Sequence, residues 1–207
     1  MIYLAIFDFV PNIAFLIGLV YLVKIMRLKC SDACVKLSVI GGSLILIGGV
    51  SQAIWKILFI TGTADIRLLS NLQFILIAPG FVILFVSVIL LARLSDRRIS
   101  TPLLALALWK IPFLVIMVVA SLGTMALLFI ISFRRRAIAA SFGFAAAFFL
   151  LLALGGMAGG EQTIGQQWAE ETVNASGEIA FALGCSLLYR KTVSFTGKMG
   201  GEYEGFL

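Results

Sequence analysis

The sequence predicts an all-α protein, a polytopic transmembrane helical bundle with about six membrane-spanning helices. Composition is the first observation. Of 207 residues, 61% are apolar and 13% charged, whereas soluble domains average about 45–50% and about 25%. The second is segmental: apolar runs of the length a helix needs to cross the hydrocarbon layer, about 20 residues, recur along the chain. The third separates helices from a barrel, the other structure that satisfies its backbone in lipid. Runs such as Ile75 to Ala92 and Ala137 to Ala158 lack the apolar–polar alternation of a barrel strand.

The expected spans cover residues 2–26, 37–61, 68–94, 112–133, 137–158 and 166–189, within a transmembrane domain of residues 1–191. The first has no basic leader and contains Asp8, Pro11 and Asn12, so it is expected to stay as a helix rather than be cleaved. The second carries Gly41, Gly42, Gly48 and Gly49, small residues that let helices approach closely in lipid, and is expected to be central. The third contains Pro79 and Gly80, read as a helix break that frees backbone carbonyls and kinks the span.

Residues 102–133 are too many for one straight span and too few for two. They divide into an interfacial helix over 102–110, anchored by Trp109 and Lys110, and a span beginning at Pro112. The fifth span closes with the small-residue pairs Gly155/Gly159 and Gly156/Gly160. Residues 192–207 form a polar, glycine-bearing C-terminal tail.

Basic residues between the spans do not fix an orientation. With six alternating spans, those after the first and third lie on one side, while Arg134, Arg135, Arg136, Arg190 and Lys191 lie on the other. Such balance is what a duplicated three-helix unit gives when its second copy inserts upside down. Offsetting the chain on itself places Gly80 on Gly177 and Arg93 on Arg190. A 3+3 inverted repeat is an arrangement these matches allow, at little above the chance level of an apolar alphabet.

The last span carries the most chemistry. Gln162, Gln166, Glu170, Asn174 and Glu178 recur every four residues, with Gln167 and Glu171 beside them, which makes one slowly drifting polar face. Glu178 falls near the middle of the apolar stretch from Thr172 to Leu188. A carboxylate at that depth costs a few kcal/mol unless it is paired, hydrated or protonated, so it must face the bundle interior or water.

Two readings stay open. In one, Glu178 binds an ion or carries a proton, Asn174 is a neutral ligand, and Glu170 and Glu171 form an acidic mouth. In the other, the stripe is an interhelical hydrogen-bond seam in which a protonated Glu178 bonds a carbonyl or Gln52. Asn12 and Gln52 lie near mid-depth and belong to the same candidate pathway. Asp8 and Lys56 lie at similar depth and are a candidate ion pair; alternatively Lys56 snorkels to the headgroups beside Trp55.

Several classes are excluded or disfavoured. Net charge is +6, but the basic residues sit between apolar runs, where membrane insertion places them, so no nucleic-acid partner is expected. Histidine is absent, and Cys30 and Cys34 alone do not complete a tetrahedral zinc site, so no metal and no cofactor are expected. No phosphate-binding loop, dinucleotide fingerprint, nucleophile elbow or histidine-dependent triad is present, and no enzyme is expected. Glu170 and Glu171 are sequence neighbours that point to different sides of a helix, so they cannot clamp one bond.

The expectation is a small carrier or channel-like protein for an ion or small solute. The alternative is a non-catalytic subunit or membrane anchor of a larger complex. The expected partners are the lipid bilayer and either further copies of the chain or other membrane subunits. The expected location is the cytoplasmic membrane of a prokaryote.

Overall fold

The computed structural model describes residues 2–95, 111–157 and 163–204. Among them the chain forms seven helical segments: α1 (Ile2–Phe7), α2 (Phe9–Lys29), α3 (Asp32–Ile60), α4 (Arg67–Ser95), α5 (Ile111–Arg134), α6 (Ile138–Met157) and α7 (Ile164–Glu204). The first two are one span interrupted at Asp8. Pro11 has no N–H to offer the carbonyl of Phe7, so the ladder lapses there, and the Asn12 side-chain amide donates instead to the Asp8 carbonyl at 2.8 Å.

Five stretches are long and apolar enough to cross a bilayer: Ile2–Lys29, Asp32–Ile60, Asn71–Ala92, Met117–Arg134 and Ile138–Met157. The molecule is therefore a multi-pass helical membrane bundle. The more polar α7 falls outside that set, yet it runs the full thickness beside its neighbours. It lies parallel to α1 and α2, through the ring pairs Phe7–Trp168, Phe15–Phe181 and Tyr21–Tyr189, each 5.7 Å between centroids. It lies antiparallel to α6, where Gly143 meets Gly184 and Leu150 meets Gly177. From Trp168 to Tyr189 the helix rises about 30 Å, which matches the hydrocarbon thickness.

Each helix packs on the next in chain order, and α7 returns to α2, so six long helices close into a ring. The glycines of α3 divide between its two neighbours. Gly42 faces Leu19 and Gly49 faces Asn12 of α2, while Gly41 faces Gly80 and Leu84, and Gly48 faces Ile77, of α4. Glycines spaced seven apart keep to one side of the helix, so the two pairs make two close seams. The apolar core runs through the ring, with Leu22, Ile25, Leu84, Leu91, Leu128, Phe144, Phe181 and Leu188 fully buried.

Four expectations are corrected. First, α4 is one continuous helix through Pro79. Gly80 does not mark a break; a Cβ there would lie 2.9 Å from the Gly41 carbonyl oxygen, so the residue is where α3 and α4 cross. Second, the polar stretch expected as a separate tail from residue 192 continues α7 as helix to Glu204. The junction is held by Thr192, whose hydroxyl donates to the Leu188 carbonyl at 2.8 Å and receives Arg135 Nη1 at 3.5 Å.

Third, the two three-helix units do not run in opposite senses. Antiparallel contacts fix α3 against α2 and α4, and α6 against α5 and α7, while α7 is parallel to α2. Hence α2, α4, α5 and α7 all point one way, Ser95 and Ile111 lie at opposite ends of the ring, and the units share one sense. Fourth, Gly155 and Gly156 meet nothing within 4 Å, so they make no helix seam within the described chain. Gly159, Gly160, Gln162 and the interfacial helix over 102–110 lie outside the described residues.

Candidate ion-binding site

The polar face of α7 turns inward and divides into two stations. The deeper is Glu178, ten residues from Trp168 and eleven from Tyr189, hence near the middle of the layer those rings bracket. Glu178 and Asn174 line a cavity of about 20 Å3 whose other walls include Phe81 of α4, Ser121 and Met125 of α5, and Ala147 and Leu150 of α6. Glu178 Oε2 is buried and has no hydrogen-bond partner among the described residues. A volume of roughly 10–15 Å3 is what one water requires, so the cavity admits about one water or a bare small ion beside the carboxyl.

The local fold explains this opening. Gly177 puts no side chain between Leu150 and the cavity, its absent Cβ being 3.6 Å from Leu150. Ser121 and Thr124 return their hydroxyls to the carbonyls of Val118 and Ala120 on their own helix, at 3.0 and 2.8 Å. Neither hydroxyl is thus committed to Glu178.

The second station lies two turns toward the N-terminal end of α7. Lys56 Nζ is 2.5 Å from Asp8 Oδ2 and 2.7 Å from Glu171 Oε1, so one ammonium of α3 joins the α1–α2 junction to α7. Asp8 is 5% exposed, while the Lys56 and Glu171 side chains keep 23% and 17%. Two carboxylates on one ammonium leave the cluster one negative charge in excess. Glu171 and Glu178 are seven residues apart and share a face of α7, about 10 Å along its axis.

The remaining sequence-predicted residues distribute as follows. Asn12 sits against Gly49 in the α2–α3 seam and does not reach the cavity. Gln52 is half-buried one turn before Lys56 and is not a wall of the cavity, so it is not the partner of Glu178. Glu170 accepts from Gln166 Nε2 at 3.2 Å, beside rather than within the Lys56 cluster. Pro79 and Gly80 do not line the cavity; the cavity residue of that helix is Phe81.

Sequence reasoning placed Glu171 at an acidic mouth and missed it as the second acid of the ion pair. The spacing of seven from Glu178 was the available signal. Cys30, Cys34 and Cys185 are free thiols, and no group of three metal-ligating side chains occurs among the described residues. The Cys34 thiol donates to the Ser87 carbonyl at 3.4 Å. Burial, and next the neighbouring Cys34, push the Cys30 thiol up to about 12. No protein-family model, curated protein or solved structure matches the chain.

Proposed function

We propose that this bundle is a small carrier for a proton or comparably small monovalent cation, which loads on Glu178 at mid-depth. The supporting observation is the Glu178 carboxyl itself: it lines a cavity and offers Oε2 without a hydrogen-bond partner among the described residues. A structural seam would spend that oxygen on a neighbouring helix, because leaving a buried polar group unmade costs about 1–3 kcal/mol. Size decides the class of cargo. Sites for organic solutes measure roughly 300–1,000 Å3, whereas this cavity is about 20 Å3.

The Asp8–Lys56–Glu171 cluster is then the outer station of the same path, two turns away on the same helix face. Two three-helix units of one sense are also an architecture on which carriers are built, an analogy of fold and not of site.

The test is flux. Protein reconstituted into liposomes holding a pH-sensitive dye should dissipate an imposed pH gradient. Glu178→Gln, which keeps size and polarity and removes the titrating proton, should reduce that flux at least tenfold while elution volume and helicity are unchanged. Undiminished flux in a folded Glu178→Gln protein would sink the reading.

The competing reading is a subunit or anchor of a larger complex in a prokaryotic cytoplasmic membrane. It is favoured by Gly155 and Gly156, which face open space on α6, where a neighbouring helix fits closely. Native purification that always brings other chains, together with absence of flux from the wild type, would establish that alternative.

A further inference from the structure

We propose that the end of the ring formed by the α2–α3 and α5–α6 junctions is seated in the anionic headgroups of the cytoplasmic leaflet. The first residues of the chain and the Asp8–Lys56–Glu171 cluster then face the opposite side. The inference is independent of what Glu178 binds.

It follows from where the same-sense arrangement puts the charges. Arg27, Lys29 and Lys36 flank the α2–α3 junction, Arg134–Arg136 make the α5–α6 turn, and Arg190 and Lys191 follow Tyr189 on α7. Contacts tie these to one level: Tyr21 of α2 packs on Tyr189 of α7, and Arg135 of the turn reaches Thr192 of α7. All of these cations except the half-buried Arg135 are exposed, and the described acids at that end are Asp32 and, on the continuation of α7, Glu202 and Glu204. The other end is acidic. There Lys56 is held by two carboxylates, and Asp65 and Glu170 add further acids against one other described cation, Arg67 at the start of α4.

The aromatic residues agree with that division. Lys24 Nζ lies 5.3 Å from the Tyr21 ring centroid and 5.6 Å from that of Tyr189, a cation over rings at one edge of the apolar layer. Trp55 and Trp168 mark the other edge, with the Trp55 indole donating to Asp65 at 3.1 Å. Basic residues clustered within a turn of the span ends bias insertion toward the cytoplasm and attract anionic lipid once there. Alternating spans would split these charges between two sides; the observed directions collect them on one.

Two measurements test the assignment. Thr63→Cys and Ser194→Cys place thiols at exposed positions at the acidic and basic ends respectively. Both are made with Cys30→Ser, which removes the native thiol that is not buried, since Cys34 and Cys185 are buried. A membrane-impermeant maleimide applied to right-side-out membrane vesicles should label Thr63→Cys at once and Ser194→Cys only after permeabilisation. The opposite pattern, or labelling of both before permeabilisation, would overturn the orientation.

Lipid preference is read separately by melting temperature. The protein in phosphatidylcholine vesicles containing phosphatidylglycerol should melt several degrees above the protein in phosphatidylcholine alone. The combined variant Arg27→Gln/Lys29→Gln/Lys36→Gln should lose much of that difference. Equal melting temperatures of the wild type in the two compositions would remove the headgroup contact from the proposal.

Discussion

Replacing Lys56 by methionine is expected to destabilise the bundle by about 3 kcal/mol, the low end of what removing one partner from a buried ion pair costs. The low end applies because Lys56 and Glu171 retain some exposure, 23% and 17% of their side chains. The loss is not that of one surface contact, which would be about 0–1 kcal/mol. Lys56 is the cation that Asp8 and Glu171 share, so its removal leaves two carboxylates facing each other across the α1–α2 junction and α7.

The site carries its own reporters, because Trp55 precedes Lys56 by one residue and Trp168 packs on Phe7 at the same end. Denaturation in detergent, followed by tryptophan fluorescence, measures the effect. A second variant separates charge from packing. Lys56→Met combined with Asp8→Asn and Glu171→Gln removes the stranded charges and should recover most of the lost stability, since neutral replacement of a whole buried ionic group is often tolerated. A single variant within about 0.5 kcal/mol of the wild type, the range of ordinary surface substitutions, would show that water already solvates the cluster.

Much of this architecture is legible in the sequence because lipid enforces simple rules. Apolar runs of spanning length identify five helices with ends displaced by a few residues at most of their boundaries, and the four glycines of α3 announce close approach, although α3 takes a place in the ring and not the central one expected. The four-residue recurrence on α7 marks its inward face, and mid-depth Glu178 marks the cavity. What the pattern could not carry is direction. Residues 134–136 read the same whether the helix before them runs up or down, and only the packing of α7 parallel to α2 resolves it.

Proline misled for a different reason. Pro79 removes one N–H, and a missing hydrogen bond looks like a break in one dimension, yet the helix continues through it, and Gly80 beside it packs against Gly41 on the facing helix. The partnership of Lys56 with Glu171 spans 115 residues of sequence. Periodicity within single helices does not report contacts of that separation.

Substitution of Gly41 by valine is the second change with a large expected effect, and it reaches from packing to the site. A Cβ on Gly41 would lie 2.7 Å from the Leu84 amide nitrogen and 2.8 Å from the Gly80 carbonyl oxygen. Both are backbone atoms of α4, so no rotamer change makes room and the two helices must separate. Overpacking costs typically about 1–3 kcal/mol, and an obstacle that cannot rotate away puts this variant at the upper end.

Two other glycines calibrate the effect. Gly42→Ala meets only the far end of the Leu19 side chain, which can swing, and should cost less. Gly155→Ala meets nothing within 4 Å and should be neutral or slightly stabilising, as replacing a helical glycine generally is, by about 0.5–1 kcal/mol. The same denaturation assay ranks the three, and a Gly41→Val protein as stable as Gly155→Ala would disprove the close α3–α4 crossing. Because Phe81 follows Gly80 on α4 and walls the cavity beside Glu178, separating α3 from α4 also moves that wall. A Gly41→Val protein that still folds should therefore lose proton flux along with stability, whereas Gly155→Ala should keep both.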